Sequence, residues 1–344
     1  MPVRRGVRLR LAERDEYPHA IEPFPNFNES MYFNVYDRAT QVGGWFRLGN
    51  RPNEGHAEMS CCVYLPDRSV AWMYRRPEIS GNAALEAGGM RFDVLEPFRR
   101  LRVRYSGDVV LLADPGEMVD PGRAFRDNPH VRCEIDLDYR GLSPIYGGEM
   151  IKDDGTPIDQ GEHDSFNRAH YEQHMAAAGT MAVGAQRWEI DGLGLRDKSW
   201  GPRYWQAIHW YRWLPISFSR DFGIMISIVA HADGSRLVTG TVFRDGQYVL
   251  VDDAQVETEW DERLYQTTLR ASCVTPQRRY EIEGRVLSLI PLRNRRKGAD
   301  GTVLHTRITE GMTEFYCDGH IGYGLSEYLD QMIDGVPAGV IEQR

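Results

Sequence analysis

The sequence predicts an all-β protein built from two antiparallel β-barrel or β-sandwich domains, and three observations carry that expectation. Short runs that alternate apolar and polar residues recur along the whole chain at the length and period of strands. Helix-period patterns are scarce. With 344 residues, the chain is long enough for two domains of ordinary size, each with its own core.

In chain order, the strand candidates of the first half are AEMSCCVYLP ahead of Asp67, SVAWMYRRP after it, RLRVRYSG, DVVLLADPG and VRCEIDLDY. The second half adds FGIMISIVAHADG, LVTGTVFRDG, QYVLVDD, AQVETEW, YQTTLRAS and RRYEIEGRVLSLIPL. Asp-Gly pairs at Asp233 and Asp245 signal hairpin turns, because glycine supplies the positive φ that such turns need. Two stretches read as helical. DSFNRAHYEQHMAAAG, from Asp164 to Gly179, has an N-cap Asp, good helix formers and a Gly stop; GLSEYLDQMIDG near the C-terminus could form a short helix. The loop KDDGTPIDQGEHD ahead of the first has the Asp, Gly and Pro density of a linker. It puts the boundary near Ile158 to His163, with an N-terminal β domain over 1–162 and a C-terminal β domain over 163–344 led by a linking helix at 164–178.

Forty-one basic and 50 acidic side chains leave a formal net charge of −9, so nothing steers the whole molecule toward nucleic acid or an anionic membrane. The run PLRNRRKG at Pro291 to Gly298 is the local exception, and it reads as a solvated turn between two strands. Five cysteines, two of them adjacent at Cys61 and Cys62, show no CxxC or other metal-ligand spacing, which implies reduced thiols and a cytoplasmic home. The N-terminus lacks the apolar run of a signal peptide, and no segment reaches the length of a membrane span. There is no GxSxG elbow, P-loop or dinucleotide fingerprint, so hydrolase, kinase and dehydrogenase readings lack their essential parts.

The chemistry is concentrated in a few places. GLGLRDKSWGPRYWQAIHWYRW, from Gly192 to Trp213, threads Arg, Asp and Lys among tryptophans, and a carboxyl group walled by indoles is either a paired structural charge or a working acid. Read as a strand, NEGHAEM places Glu54, His56 and Glu58 on one face, as a polar pocket floor or, with less support, a metal site. In HYEQHM, His170 and His174 stand four apart with Glu172 between them, but the order is not HExxH; the segment reads as a polar helix face at the domain seam, from which His170 and Tyr171 could reach a pocket. Tyr32, within FNESMYFNVYD, and Tyr323, in the Gly-rich turn CDGHIGYGLSEYLDQ, complete the candidates.

DGLGLRDKSWGPRYW resembles the Gly-x-Arg-Asp-x-Ser-Trp-Gly-x-Arg-x-Trp signature of a large, uncharacterised bacterial family of two-domain, lipocalin-like proteins. RLGNRPNEGHAEM, RAHYEQ and GYGLSEYLDQMIDGVPAG resemble its companion motifs, in the same order and over nearly the whole chain. More distantly, the Asp-x-x-Trp-Gly core is similar to the Asp-His-x-Trp element of carotenoid 1,2-hydratases and lipocalin-like Diels–Alderases. In those hydratases an Asp protonates a carbon–carbon double bond without metal or organic cofactor, in an aromatic cavity between two β domains. The resemblance implies that role for Asp197, with Trp200 as its wall; Lys198 departs from the His of the relatives.

Such a reaction passes through a carbocation-like state that indole faces stabilise, which suits Trp200, Trp205 and Trp210. Apolar walls would raise the Asp197 pKa and keep it a proton donor, unless Arg203 folds back to pair with it as a structural anion. The acid would then be sought among His56, Glu58 and Tyr323. The expected function is a cofactor-independent lyase or isomerase, of hydratase or dehydratase type, acting on a hydrophobic terpenoid, steroid-like or aromatic molecule in an interdomain pocket. The alternative is a non-catalytic carrier or sensor of an apolar ligand, and a homodimer stays open.

Overall fold

The computed structural model describes residues 7–158, 166–297 and 301–343. The all-β expectation holds. Among the described residues the strands form two large antiparallel sheets, of twelve and ten strands, and the helices are single turns or little more. Two compact units result. One holds the chain up to Ala113 together with Asp127–Tyr204; the other holds Asp114–Arg126 and the chain from Trp205 onward.

The chain therefore divides at a different place from the one its linker suggested. Residues 159–163 of that linker lie outside the described residues, but Ala169–Val183 and Gln186–Pro202 are long strands of the first unit. The helix expected at 164–178 is thus corrected. Ala169–Val183 pairs along its length with Gln186–Pro202 on one side, and with Tyr146–Lys152 and His130–Gly141 on the other. Two flanking ladders and near-complete burial override the helix propensity of its alanines. Gly179 is no helix stop: with φ at +147°, a Cβ there would lie 2.1 Å from the Asp136 carbonyl oxygen, so the close strand approach itself requires glycine. GLSEYLDQMIDG likewise belongs to the strand His320–Ile333, and its Asp334-Gly335 pair turns the chain into Val336–Pro337. The run from Pro291 to Lys297 is strand rather than turn, the end of Arg279–Lys297, while Gly298 lies outside the described residues.

The hairpins at Asp233 and Asp245 form as expected, joining Phe222–Ala230 to Arg236–Arg244 and that strand to Gln247–Leu250. In the first unit Phe33 packs its ring 5.0 Å from Phe92 and 4.9 Å from Tyr139. In the second, Leu214, Ile216, Ile224, Ile226 and Phe315 form the centre of the core. Each such buried side chain stabilises the fold by about 1.5–3 kcal/mol before entropy is charged against it. Among the described residues no helix is long and apolar enough to cross a membrane.

The strand that positions the site is Gln186–Pro202. It lies between Ala169–Val183 and Phe27–Asp37, with Asp197 in register with Glu172 on one side and Tyr32 on the other. Gly194 permits this closeness, since a Cβ would sit 2.0 Å from the Asn34 carbonyl oxygen.

Candidate functional site

Successive side chains of a strand leave from opposite faces, so the RDKSW run splits in two. Arg196, Lys198 and Trp200 take one face, Asp197 and Ser199 the other. The first face is sealed. Arg196 donates to the Glu16 carboxylate at 2.6 Å and to Gln173 Oε1 at 2.9 and 3.1 Å. Lys198 pairs with Glu29 at 2.8 Å and donates to the Tyr17 carbonyl at 2.8 Å and the Asp15 carbonyl at 2.5 Å. His19 bonds the other side of the picture, its Nδ1 2.8 Å from the same Glu29 oxygen that Lys198 holds. Burial alone would push the Glu29 carboxyl up; the His19 hydrogen bond and the Lys198 charge outweigh it and hold the group at about 2. Burial pushes the Lys198 ammonium down. These groups are saturated and inaccessible, which is the signature of structural charge.

The second face carries a looser cluster. His170 Nε2 stands 3.4 Å from Asp197 Oδ2 and 3.8 Å from Glu172 Oε1. His170 keeps 35% of its side chain exposed and Asp197 23%, whereas Glu172 is buried. Burial pushes the imidazole down, but the Asp197 hydrogen bond and the negative charges of Glu172 and Asp197 prevail over burial and the opposing Arg203 charge, so its net shift is upward. Four residues along the strand, burial takes the His174 imidazole down to about 4. The cluster therefore contains one imidazole poised to carry a proton and one held neutral.

Strand pairing extends this face. His170, Ser199, Ser30, Gly49 and Glu58 form one row across five strands, and Glu172, Asp197, Tyr32, Arg47 and Ser60 form the next. Ser30 and Ser199 share a hydrogen bond of 3.1 Å, and Arg203 donates to Ser199 Oγ at 2.6 Å while lying 4.0 Å over the Phe166 ring. Beyond Tyr32 the face turns aromatic: Trp45 stacks 5.9 Å from Tyr32 and lies tilted 5.3 Å from Trp72. At its far edge Arg47 donates to Glu58 at 3.3 Å; Arg47, Arg51 and Arg76 together hold the Glu58 carboxyl low against its burial.

Several sequence expectations change on this geometry. Trp200 is not the wall of Asp197, because a spacing of three puts it on the opposite face, stacked 4.1 Å from His19. Tyr171 shares that sealed face, donating to Glu16. Trp205 and Trp210 belong to the second unit, where Trp210 is core and carries the Arg212 and Arg236 guanidiniums 5.0 and 5.1 Å from its ring. Tyr323 is also in the second unit and donates to Glu314 at 2.9 Å. Glu54 ends a short 3-10 turn instead of lying on a strand, so it shares no strand face with His56 and Glu58. His56 sits three ladders and four residues from the Asp197 position, roughly 20 Å along the sheet, and Glu58 roughly 16 Å. Both fall outside a shared proton relay. Arg203 contacts Ser199 and the Phe166 ring, and Asp197 pairs with His170. Of the sequence candidates, the structure thus brings Asp197, His170, Tyr32 and Arg203 together, and it adds Glu172, Arg47, Trp45 and Trp72, which the sequence reading did not place there. Among the described residues no group of three or more His, Cys, Asp or Glu side chains is arranged to hold a metal ion.

A family described as a domain of unknown function (DUF7064) matches residues 12–332 of this chain. Comparison with curated proteins gives no match. Among solved structures, the fold is similar to a protein assigned as AttH from Nitrosomonas europaea, with 14% identity, 90% of this chain and 96% of that one covered, and a TM-score of 0.54. It is similar to CghA solved with Sch210972, at 11% identity, 94% and 98% coverage and a TM-score of 0.54. Kievitone hydratase from Nectria haematococca is similar at 9% identity, 94% and 93% coverage and a TM-score of 0.51. At these identities the likeness is one of fold.

Proposed function

The chain belongs to the DUF7064 family, and from that premise we propose that it is a cofactor-independent lyase or isomerase of the hydratase type, acting on an apolar small molecule of terpenoid, steroid-like or aromatic kind. The observation that carries this reading is the His170–Asp197–Glu172 cluster: a part-exposed imidazole whose proton two carboxylates favour, beside an aromatic patch. The fold it shares with a protein named as a hydratase supports the same class.

In the addition direction the protonated imidazole of His170 gives its proton to one carbon of an olefin. The neighbouring carbon becomes cationic and takes up water, and the proton that this water sheds returns to the His170–Asp197 pair. Elimination runs the same steps backwards. Tyr32, Trp45 and Trp72 offer ring faces to the cation, each such contact contributing roughly 0.5–2 kcal/mol. Asp197 is then the group that holds and recharges the acid, and His170 the acid itself. The five cysteines are free and buried, which fits action in the reducing cytoplasm.

The test is a panel of apolar olefins and tertiary alcohols incubated in ¹⁸O-labelled water, with mass spectrometry scoring gain or loss of water. With a substrate in hand, His170→Asn and Asp197→Asn should each lower turnover by roughly 10²–10⁴-fold while the ligand still quenches tryptophan fluorescence. Undiminished turnover in both variants would sink the reading, and ligand binding without any turnover in the native protein would make it a carrier.

A further inference from the structure

The basic run at the end of Arg279–Lys297 has no part in the proton-transfer site, and strand pairing gives it a definite arrangement within the second unit. Arg293 stands in register with Arg307 and Arg295 with His305, so four cationic or titratable side chains share one face as direct cross-strand pairs. Like charges placed opposite one another in this way destabilise a sheet. Something has to compensate.

Among the described residues the protein's own acids do so only in part: burial pushes the Arg307 guanidinium down and prevails over the charges of Asp330 and Asp261, which favour it, so its net shift is downward. Arg307 is only 8% exposed, and its Nε and Nη2 are buried without a hydrogen-bond partner. Its register partner on the other side, Asp330, is held by Arg212 at 3.0 and 3.2 Å and accepts the Gly339 N–H at 2.8 Å. Asp261 accepts the backbone N–H groups of Arg263 and Tyr265 on one carboxylate oxygen, at 2.9 and 2.8 Å. What Arg307 does meet is an aromatic face: its guanidinium lies 5.1 Å from the Tyr265 ring, and that of Arg263 lies 5.7 Å from the same ring. Arg293 is positioned by donating to the Val119 carbonyl at 3.0 Å, and Arg293 and Arg295 are exposed at the rim. Burial and the charges of Arg295, Arg293 and Arg307 all push the His305 imidazole down, which fits a site short of negative charge.

We infer that Arg307, with Arg293 and Arg295 at its rim and Tyr265 as its wall, forms a binding site for a small phosphate monoester. A buried guanidinium with two N–H directions unused presents a fork that matches an oxyanion. One guanidinium suffices for a carboxylate; three with an imidazole beside them suit a dianion. The ring of Tyr265 would then lie against the organic part of the ester. The inference stands apart from the proposed enzymatic activity, since none of its residues is in that cluster.

The experiment uses the intact protein and phenyl phosphate as probe, with inorganic phosphate, benzoate and sodium chloride at matched ionic strength alongside. Calorimetry should detect phenyl phosphate and inorganic phosphate, and benzoate at least tenfold more weakly. The NMR signals of His305 should move toward the protonated position as phosphate is added. Arg307→Gln should weaken binding by more than tenfold. Because the loss of a buried arginine could also perturb folding, the exposed pair Arg293→Gln with Arg295→Gln provides the second variant, expected to fold normally and bind more than fivefold more weakly. The inference is overturned if chloride reproduces the effect of phosphate, if benzoate binds as tightly as phenyl phosphate, or if the rim variant binds unchanged.

Discussion

The two faces of Gln186–Pro202 carry charges one residue apart and treat them in opposite ways. On one, Arg196 and Lys198 are fully buried and each makes three hydrogen bonds or ion pairs, at 2.5–3.1 Å, to Glu16, Glu29, Gln173 and backbone carbonyls. On the other, His170 meets Asp197 and Glu172 at 3.4 and 3.8 Å and stays open to solvent. The difference teaches that charge density alone does not mark a site. Saturation makes a charge structural, and incomplete pairing with access leaves it able to exchange a proton.

The most damaging way to break the comparison is Lys198→Ala, which strands the Glu29 carboxylate in the interior. It should cost about 3–5 kcal/mol in urea unfolding, and Glu29→Gln added to it should restore part of the loss. An unchanged midpoint in the single variant would mean that the sealed face is not structural.

The pH responses of the two faces should separate next. Glu29 is lowered from 4.5 to about 2, so its contribution, on the order of 3 kcal/mol, is present above the ordinary carboxylate value and lost as pH falls through about 2. His170 is raised from 6.5, so its contribution is fully present below 6.5 and lost as pH rises through the raised value. Turnover that requires the protonated imidazole should fall over that same upper window. Unfolding measured across pH, beside a pH–rate profile, reads both; a rate that rises with pH through that window removes His170 as the acid.

The smallest effect expected is the most pointed. Trp200→Phe loses an indole stacked on His19 on the sealed face, and should cost about 1 kcal/mol of stability while leaving turnover within twofold of native. A large loss of turnover with native stability would return Trp200 to the reacting face.

Much of this was legible in the chain. Alternation and Asp-Gly turns identified the strands and hairpins, and Asp197, His170 and Tyr32 were all singled out. Their mutual contact was not readable, because it depends on register among strands far apart in sequence, as do the positions of Arg47, Trp45 and Trp72. Two failures have local causes. The alanines after His174 favour a helix until flanking ladders compete with it. The motif suggests Trp200 as a neighbour of Asp197, although a spacing of three within a strand already puts the two on opposite faces.

The excursion Asp114–Arg126 sets a schedule for biosynthesis. Its short 3-10 segment Pro115–Val119 packs on Arg279–Lys297, and the Val119 carbonyl receives a hydrogen bond from Arg293, 174 residues later. At ribosomal speeds of about 5–20 residues per second, the arm emerges roughly 9–35 seconds before its partner strand exists. Met118, buried in the finished protein, stays uncovered through that interval. A nascent chain halted at Tyr204 would hold every strand of the first sheet and still leave Met118 uncovered, so protection of Met118 from oxidation should track completion of Arg279–Lys297 rather than of the first sheet.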